Sequence, residues 1–246
     1  MSGNFRKIDV ADPEALAIAA AERLTARLDA DKGRIAVCLT GGSSPKQLYE
    51  LIATNTWSKR IPWDRVHWFI GDERFVPSDH PLNNMRMARD IFLDRLAPAD
   101  HVHPIPTNTA SPDESAHRYA EMLQGFYGSP RLDPAQPLFD LVLMGVGPDG
   151  HTASLFPNDP ALEEVRRWAV GVAKAPVEPF VPRVTLTVPV LASCREMLFE
   201  VAGKEKHAIL TRLLAGENLP VNRARSIKET VLLVDRGAVA GESGDR

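Results

Sequence analysis

Three short, unbroken apolar runs, each ending in a glycine-bearing loop, constrain this chain more than any other feature. They are Ile35-Ala-Val-Cys-Leu39, Val66-His-Trp-Phe-Ile70 and Leu141-Val-Leu-Met144. Each is too short for a typical helix and lacks polar/apolar alternation, so each predicts a strand buried on both faces. Helical signals fall between them. Asp12-Pro13-Glu14 opens a helix with Asp12 as N-cap, and Leu16, Ala20, Leu24 and Leu28 then recur every fourth residue. Further helices are expected over Pro45 to Ile52, Met85 to Leu96, Ser111 to Phe126 and Lys204 to Leu214, and further strands over Val184 to Val188, Met197 to Val201 and Thr230 to Val234. Strands alternating with helices predict an α/β fold, a mostly parallel twisted sheet with helices on both faces. Ligands of such folds bind beyond the carboxyl ends of the strands. Attention therefore falls on the loops at 40–45, 71–74 and 145–151.

The 246 residues read as a single α/β domain over 1–246, with room for a small lobe in the second half. The proline-rich stretches His101 to Pro112 and Tyr127 to Pro137 read as surface connections. A net charge of −3 argues against a nucleic-acid partner, which calls for a strongly basic face. Cys38 and Cys194 each stand alone in apolar runs and read as buried thiols in a reducing compartment. The N-terminus leads into Asp9 and Asp12, unlike a signal peptide. The longest apolar candidate, Val184 to Cys194, has eleven residues and contains Pro189, short of the ~18 that a membrane span needs. A cytoplasmic protein without a membrane partner is the expectation.

The loops carry the chemistry. In Thr40-Gly41-Gly42-Ser43-Ser44-Pro45, paired glycines admit close backbone approach, and a helix N-terminus supplies unpaired N–H groups suited to a phosphate. The plainer alternative is a tight strand–helix turn capped by Ser44. The loop lacks the GxxxxGK[ST] pattern of an NTP site. In Gly71-Asp72-Glu73-Arg74 the adjacent carboxylates point to opposite sides, while Arg74 offers a fork that fits phosphate. A salt bridge from Asp72 or Glu73 to Arg74 is the alternative there. Gly145-Val-Gly147-Pro-Asp149-Gly150 matches GxGxxG, but Pro157 interrupts any helix that follows, and Asp149 would oppose a pyrophosphate. The segment instead offers Asp149 and His151, two residues apart, as a carboxylate that orients a proton-accepting imidazole. His101 and His103 read as loop residues without a third metal ligand, and His207 as a solvated helical residue. Lys204 and Lys206 lie where cations oppose a helix dipole unless an anion sits between them.

Taken together, Leu39-Thr-Gly-Gly-Ser-Ser-Pro45, Gly71-Asp-Glu-Arg74, Leu143 to Pro157, Arg183 to Leu191 and Gly203-Lys-Glu-Lys206 closely resemble the 6-phosphogluconolactonase family. The blocks follow the family's order from about residue 8 to residue 235. The resemblance implies a Rossmann-like sheet of the sugar-phosphate isomerase/deaminase kind. It also implies hydrolysis of 6-phospho-D-glucono-1,5-lactone in the pentose phosphate pathway, with no cofactor and no metal. By position it makes His151 the general base and Asp149 its orienting partner. Arg74 and Lys206 would bind phosphate with the backbone of Gly41, Gly42 and Ser43. Asp72, Arg183 and Lys204 would be further substrate contacts. The related glucosamine-6-phosphate deaminases carry an Asn-Glu pair after the histidine, where this chain reads Leu155-Phe156-Pro157. A sugar-phosphate sensor, the remaining alternative, would need neither His151 nor Asp149.

Overall fold

The computed structural model describes residues 5–30 and 33–240. The first four residues, included in the reading of the N-terminus, lie outside them. Nine strands are found among the described residues: β1 (Arg6–Val10), β2 (Ile35–Leu39), β3 (Val66–Ile70), β4 (Asp72–Arg74), β5 (Phe139–Met144), β6 (Ala169–Val172), β7 (Arg183–Leu186), β8 (Cys194–Val201) and β9 (Glu229–Asp235). The main sheet has the order β1-β9-β8-β5-β2-β3, and all of its pairs are parallel. Among the described residues no helix is long and apolar enough to cross a membrane.

The expected strands at 35–39 and 66–70 form with those bounds. β2 and β5 are buried at every position, which is what an apolar run covered by helices on both faces requires. The first helix, α1 (Pro13–Ala30), begins where the amide of Ala15 donates to Asp12 Oδ1 at 2.8 Å, and Leu16, Ala20, Leu24 and Leu28 face the core. Cys38 and Cys194 are free and fully buried.

Two expectations change. The 184–188 strand does not join the parallel sheet. As β7 it lies between β4 and β6 in a separate three-stranded antiparallel sheet. β1, β4 and β6, too short or too polar to read from the sequence, complete the two sheets. The other is His207, expected to be solvated and found half-buried, whereas His101 and His103 lie at and just after the short turn at 99–101, as expected, and are packed on the sheet edge. The amide of His103 donates to the carbonyl of Trp68 at 2.8 Å, so this segment covers the outer edge of β3. Nε2 of His103 lies 2.9 Å from Nδ1 of His67, and His101 stacks on the His67 ring at 4.0 Å. Burial, with the two neighbouring imidazoles, pushes His67 down to about 4. Nδ1 of His207 lies 3.0 Å from the carbonyl of Ala238.

The sheet order places the ligand crevice. From β2 the chain moves outward to β3, then returns to place β5 on the other side of β2. At such a reversal no connection closes over the strand ends. Two buried tyrosines hold the exits. As each strand ends, one residue's N–H and C=O leave the ladder and need partners. Tyr49 accepts from the Thr40 amide at 3.1 Å and donates to its carbonyl at 2.8 Å. Tyr119 does the same for Ile70, at 3.1 and 2.9 Å. Tyr49→Phe keeps the ring packed on Phe92 but strands two buried backbone groups. It is expected to cost about 1–3 kcal/mol in urea unfolding; a loss below the error of the measurement would place the support of this exit elsewhere.

Candidate active site

A solvent-open cleft of about 250 Å³ lies over the switch point, lined by the loops that follow β2, β3 and β5 and by the turn after β8. The β2 loop leads into helix α2 (Ser43–Ile52), whose N-cap is Gly42 at φ 118° with no side-chain cap. Ser44 is thus inside the helix, not at its cap, and the helix starts two residues earlier than Pro45. The uncapped first turn presents backbone N–H groups at the cleft, a favourable environment for an anion. Gly41 has no room for a side chain, since an added Cβ would lie 2.1 Å from Oδ1 of Asn84. Asn84 in turn is held by its amide bond to Glu73 at 2.7 Å and by its side-chain bond to the carbonyl of Asp72 at 3.2 Å.

Residues 72–74 are strand β4, and the period of two sets their directions. Asp72 and Arg74 line the cleft, while Glu73 turns to the opposite side and is fully buried. There Glu73 accepts from the amides of Arg74, Asn84 and Met85. Burial outweighs these bonds and pushes its carboxyl up to about 7. Arg74 makes no salt bridge to either carboxylate among the described residues; its guanidinium donates to the carbonyl of Leu82 at 2.8 Å. Antiparallel pairing sets Arg74 directly opposite Arg183 of β7. Both line the cleft, and like charges directly opposed on a sheet repel. Arg183 is buried, with Nε unpaired, and donates to the carbonyl of Pro179 at 2.9 Å. Burial and the nearby Arg74 charge push it below its ordinary value, against the opposing pull of Asp72 and Glu73. Two guanidiniums arranged this way favour an anion between or above them.

His151 is placed by its own turn. The amide of Gly147 donates to the His151 carbonyl at 2.8 Å, folding the ring back over the chain. Asp149 stands behind it, with Oδ1 2.5 Å from Nδ1, while the ring packs against Phe156 at 4.8 Å. With Nδ1 engaged, Nε2 is the nitrogen left for chemistry in the cleft. Burial raises Asp149, but the hydrogen bond and charge of His151 outweigh it and hold the carboxyl below its ordinary value. The carboxylate therefore persists below the usual Asp range and is lost only as pH falls through its depressed value. Asp72 accepts from Ser154 Oγ at 2.6 Å, tying the β3 and β5 loops together.

Lys206 lines the cleft and donates to the carbonyl of Val146 at 2.8 Å. Burial pushes its amine below its ordinary value, against the pull of Glu205. Lys204, also named from the sequence, is exposed and lies outside the cleft. The two lysines sit on a 3₁₀ turn, Lys204–Lys206, where residues two apart point about 240° around the axis. Glu200 of β8 is a cleft residue that the sequence reading missed. A lone acid in Met197-Leu-Phe-Glu-Val201 was the available signal. Among the described residues no group of three or more His, Cys, Asp or Glu side chains is arranged to hold a metal ion.

This sheet order and cleft define an α/β protein in which cationic side chains converge on a crevice at the switch point. A family model described as glucosamine-6-phosphate isomerases/6-phosphogluconolactonase matches residues 11–233, and the chain belongs to that family. A 6-phosphogluconolactonase of Nostoc sp. is 40% identical over 209 residues, covering 83% of this chain and 82% of the relative. A human 6-phosphogluconolactonase is 37% identical over 204 residues, covering 81% and 76%. The solved structure of 6-phosphogluconolactonase from Trypanosoma cruzi superposes with a TM-score of 0.85 at 27% identity, covering 99% of this chain and 98% of that one.

Gly147 offers a test of the His151 placement, because a Cβ there would lie 2.1 Å from the imidazole ring. Gly147→Ala is expected to swing the ring off Asp149 and lower kcat by about 10²-fold, within the range attributed to a positioned base, with an unchanged far-UV spectrum. Undiminished turnover would show that this ring position is not needed.

Proposed function

We propose that this chain hydrolyses 6-phospho-D-glucono-1,5-lactone to 6-phosphogluconate, as its relatives' names suggest, with residues 1–246 acting as one catalytic domain of the pentose phosphate pathway. The observation that carries the reading is the His151–Asp149 pair at 2.5 Å, in one cleft with Arg74, Arg183 and Lys206. In this reading the phosphate is held by Arg74, Lys206 and the backbone N–H groups of Gly41, Gly42 and Ser43, with Arg183 across from Arg74. Asp72 faces the sugar. The lactone carbonyl lies toward His151.

The steps balance on the protein's own groups. Nε2 of His151 takes a proton from water as the water oxygen bonds to the carbonyl carbon. Asp149 holds the other ring nitrogen in its protonated tautomer and stabilises the imidazolium. The tetrahedral intermediate then breaks its bond to the ring oxygen. His151 returns the proton to that oxygen, and the open-chain acid leaves. A positioned base is worth roughly 10²–10⁴-fold.

The deaminase alternative calls for a carboxylate soon after the histidine, to assist ring opening. Here the first one is Asp159, whose Oδ1 accepts from the Ala161 amide at 2.8 Å and caps a 3₁₀ turn. That engagement supports the lactonase reading.

Purified protein supplied with freshly generated 6-phosphogluconolactone and, separately, with glucosamine 6-phosphate is expected to release acid from the first and no ammonia from the second. Ammonia release would select the deaminase; binding of either compound without turnover would select a sensor. His151→Ala should lower kcat about 10²–10⁴-fold with little change in KM, and near-normal turnover would refute the general base. Arg74→Ala and Lys206→Ala should instead raise KM by roughly 10–100-fold, the range for a charge-assisted hydrogen bond. Undiminished affinity for 6-phosphogluconate in both would move the clamp. Asp149→Asn is expected to shift the pH profile of kcat/KM; an identical profile would leave Asp149 as scaffold only.

A further inference from the structure

Glu200 is the unusual group in this cleft. It lies on β8, in register with Leu233 of β9, one position beyond the Phe199–Met144 pairing with β5. That puts it at the level where the β5 loop departs. It is 3% exposed, yet it lines the cleft, and neither carboxyl oxygen has a hydrogen-bond partner among the described residues. Most buried polar groups in folded proteins are paired, so an orphaned carboxyl needs an explanation.

Its surroundings say where it points. Residues of one strand face alternate ways, so Glu200 shares its face with Glu196, which Arg23 and Arg27 of α1 engage at 2.5 and 2.9 Å. Those two cations are therefore committed four residues earlier on the strand. On α2, the Tyr49 hydroxyl is close enough to feel a Glu200 charge, and that hydroxyl clasps the backbone of Thr40. From β9, Asp235 accepts from the amides of Gly203 and Ala238. From the remaining walls the charged or titratable groups are Asp72, Arg74, Arg183, His151 and Lys206, and none pairs with Glu200 among the described residues. Glu200 thus sits beneath the 40–45 loop with no cation of its own.

A carboxyl so placed is held as the neutral acid. Burial alone pushes it up to about 8. The neutral acid carries one O–H donor, and no acceptor among the described residues takes it. A phosphate brings acceptors and no obligatory donor. We propose that Glu200 is a substrate-binding residue: its carboxyl O–H donates to a phosphate oxygen of the ligand from beneath the Thr40–Pro45 loop. This deepens the function proposed above and rests on that placement of the phosphate end. Glu200 then adds a condition to recognition. While protonated it donates, and once ionised it sets a negative charge under an anion.

The test is calorimetric binding of 6-phosphogluconate to the parent, E200L and E200Q at pH 7 and pH 9, alongside lactone turnover and thermal unfolding of each. E200L is expected to bind about tenfold to a hundredfold more weakly at pH 7, the range for a hydrogen bond to a charged group. Its Tm should meanwhile rise by several degrees. The sign follows from linkage: a carboxyl raised on folding stabilises below its unfolded value and loses that contribution as pH climbs toward the folded one, so its removal relieves the protein at pH 7. A purely structural Glu200 would give the opposite pattern, a lower Tm with parental affinity, and would overturn the proposal. Between pH 7 and pH 9 the parent should lose about tenfold more affinity than E200Q, because at pH 9 only about a tenth of a group titrating near 8 remains protonated. Coincident slopes would also overturn it. If the parent failed to hydrolyse the lactone while E200L still lost affinity for 6-phosphogluconate, the lactonase reading would fall and the phosphate contact would stand. If the lactone were hydrolysed and E200L bound as tightly as the parent, the reverse would hold.

Discussion

The reversal of strand order between β2 and β5 is the constraint on which the rest of this molecule depends. Connections from the two strands leave in opposite directions, so the backbone groups at their carboxyl ends face an open crevice. Arg74, Arg183, His151 and Lys206 all reach the site from a strand end or the loop or turn just beyond it. The exits are fixed by buried hydroxyls on helices: Tyr49 holds Thr40 and Tyr119 holds Ile70. Burial keeps both phenols well above their ordinary range, so they remain neutral donors and acceptors. The loops can therefore carry unpaired N–H groups toward a ligand without fraying the sheet beneath.

Charge is distributed against stability in the same region. The chain is net negative at −3, yet Arg74, Arg183 and Lys206 converge on one cleft. Each is desolvated, opposed by a like charge, or bound only to backbone carbonyls. Sites of this kind are expected to cost the fold some stability in exchange for affinity. Two of the buried glutamates, Glu73 and Glu200, mark the contrast between scaffold and site. Glu73 is surrounded by three amides and organises the neighbouring helix start. Glu200 has no hydrogen-bond partner among the described residues.

The Asp149–His151 pair and the convergence of Arg74, Arg183 and Lys206 are built on different length scales. Asp149 and His151 meet within one turn of five residues, and Gly147 is needed because the ring occupies the space a side chain would take. Residues 74, 183 and 206 are instead brought together by the β4–β7 register and by the turn after β8. A local pair of this kind is readable from spacing. A convergence of side chains so distant in sequence depends on sheet topology.

The sequence by itself determined the buried strands, the parallel α/β class and the three loops that matter, because an apolar run without alternation has few places to go other than a sheet covered on both faces. It also determined the Asp149–His151 unit, whose geometry is local, and the family resemblance carried Arg74 and Lys206. Only the tertiary structure decided that residues 183–186 leave the main sheet, because antiparallel pairing with a three-residue strand leaves almost no periodic trace. The same pairing set Arg183 against Arg74. It separated Lys206 from Lys204, since a single 3₁₀ turn sends them to different sides. It packed His101 and His103 against His67 along a strand edge. And it left Glu200 buried under the β2 loop without a partner, a condition set by which strands flank β8 and by what their far ends already hold.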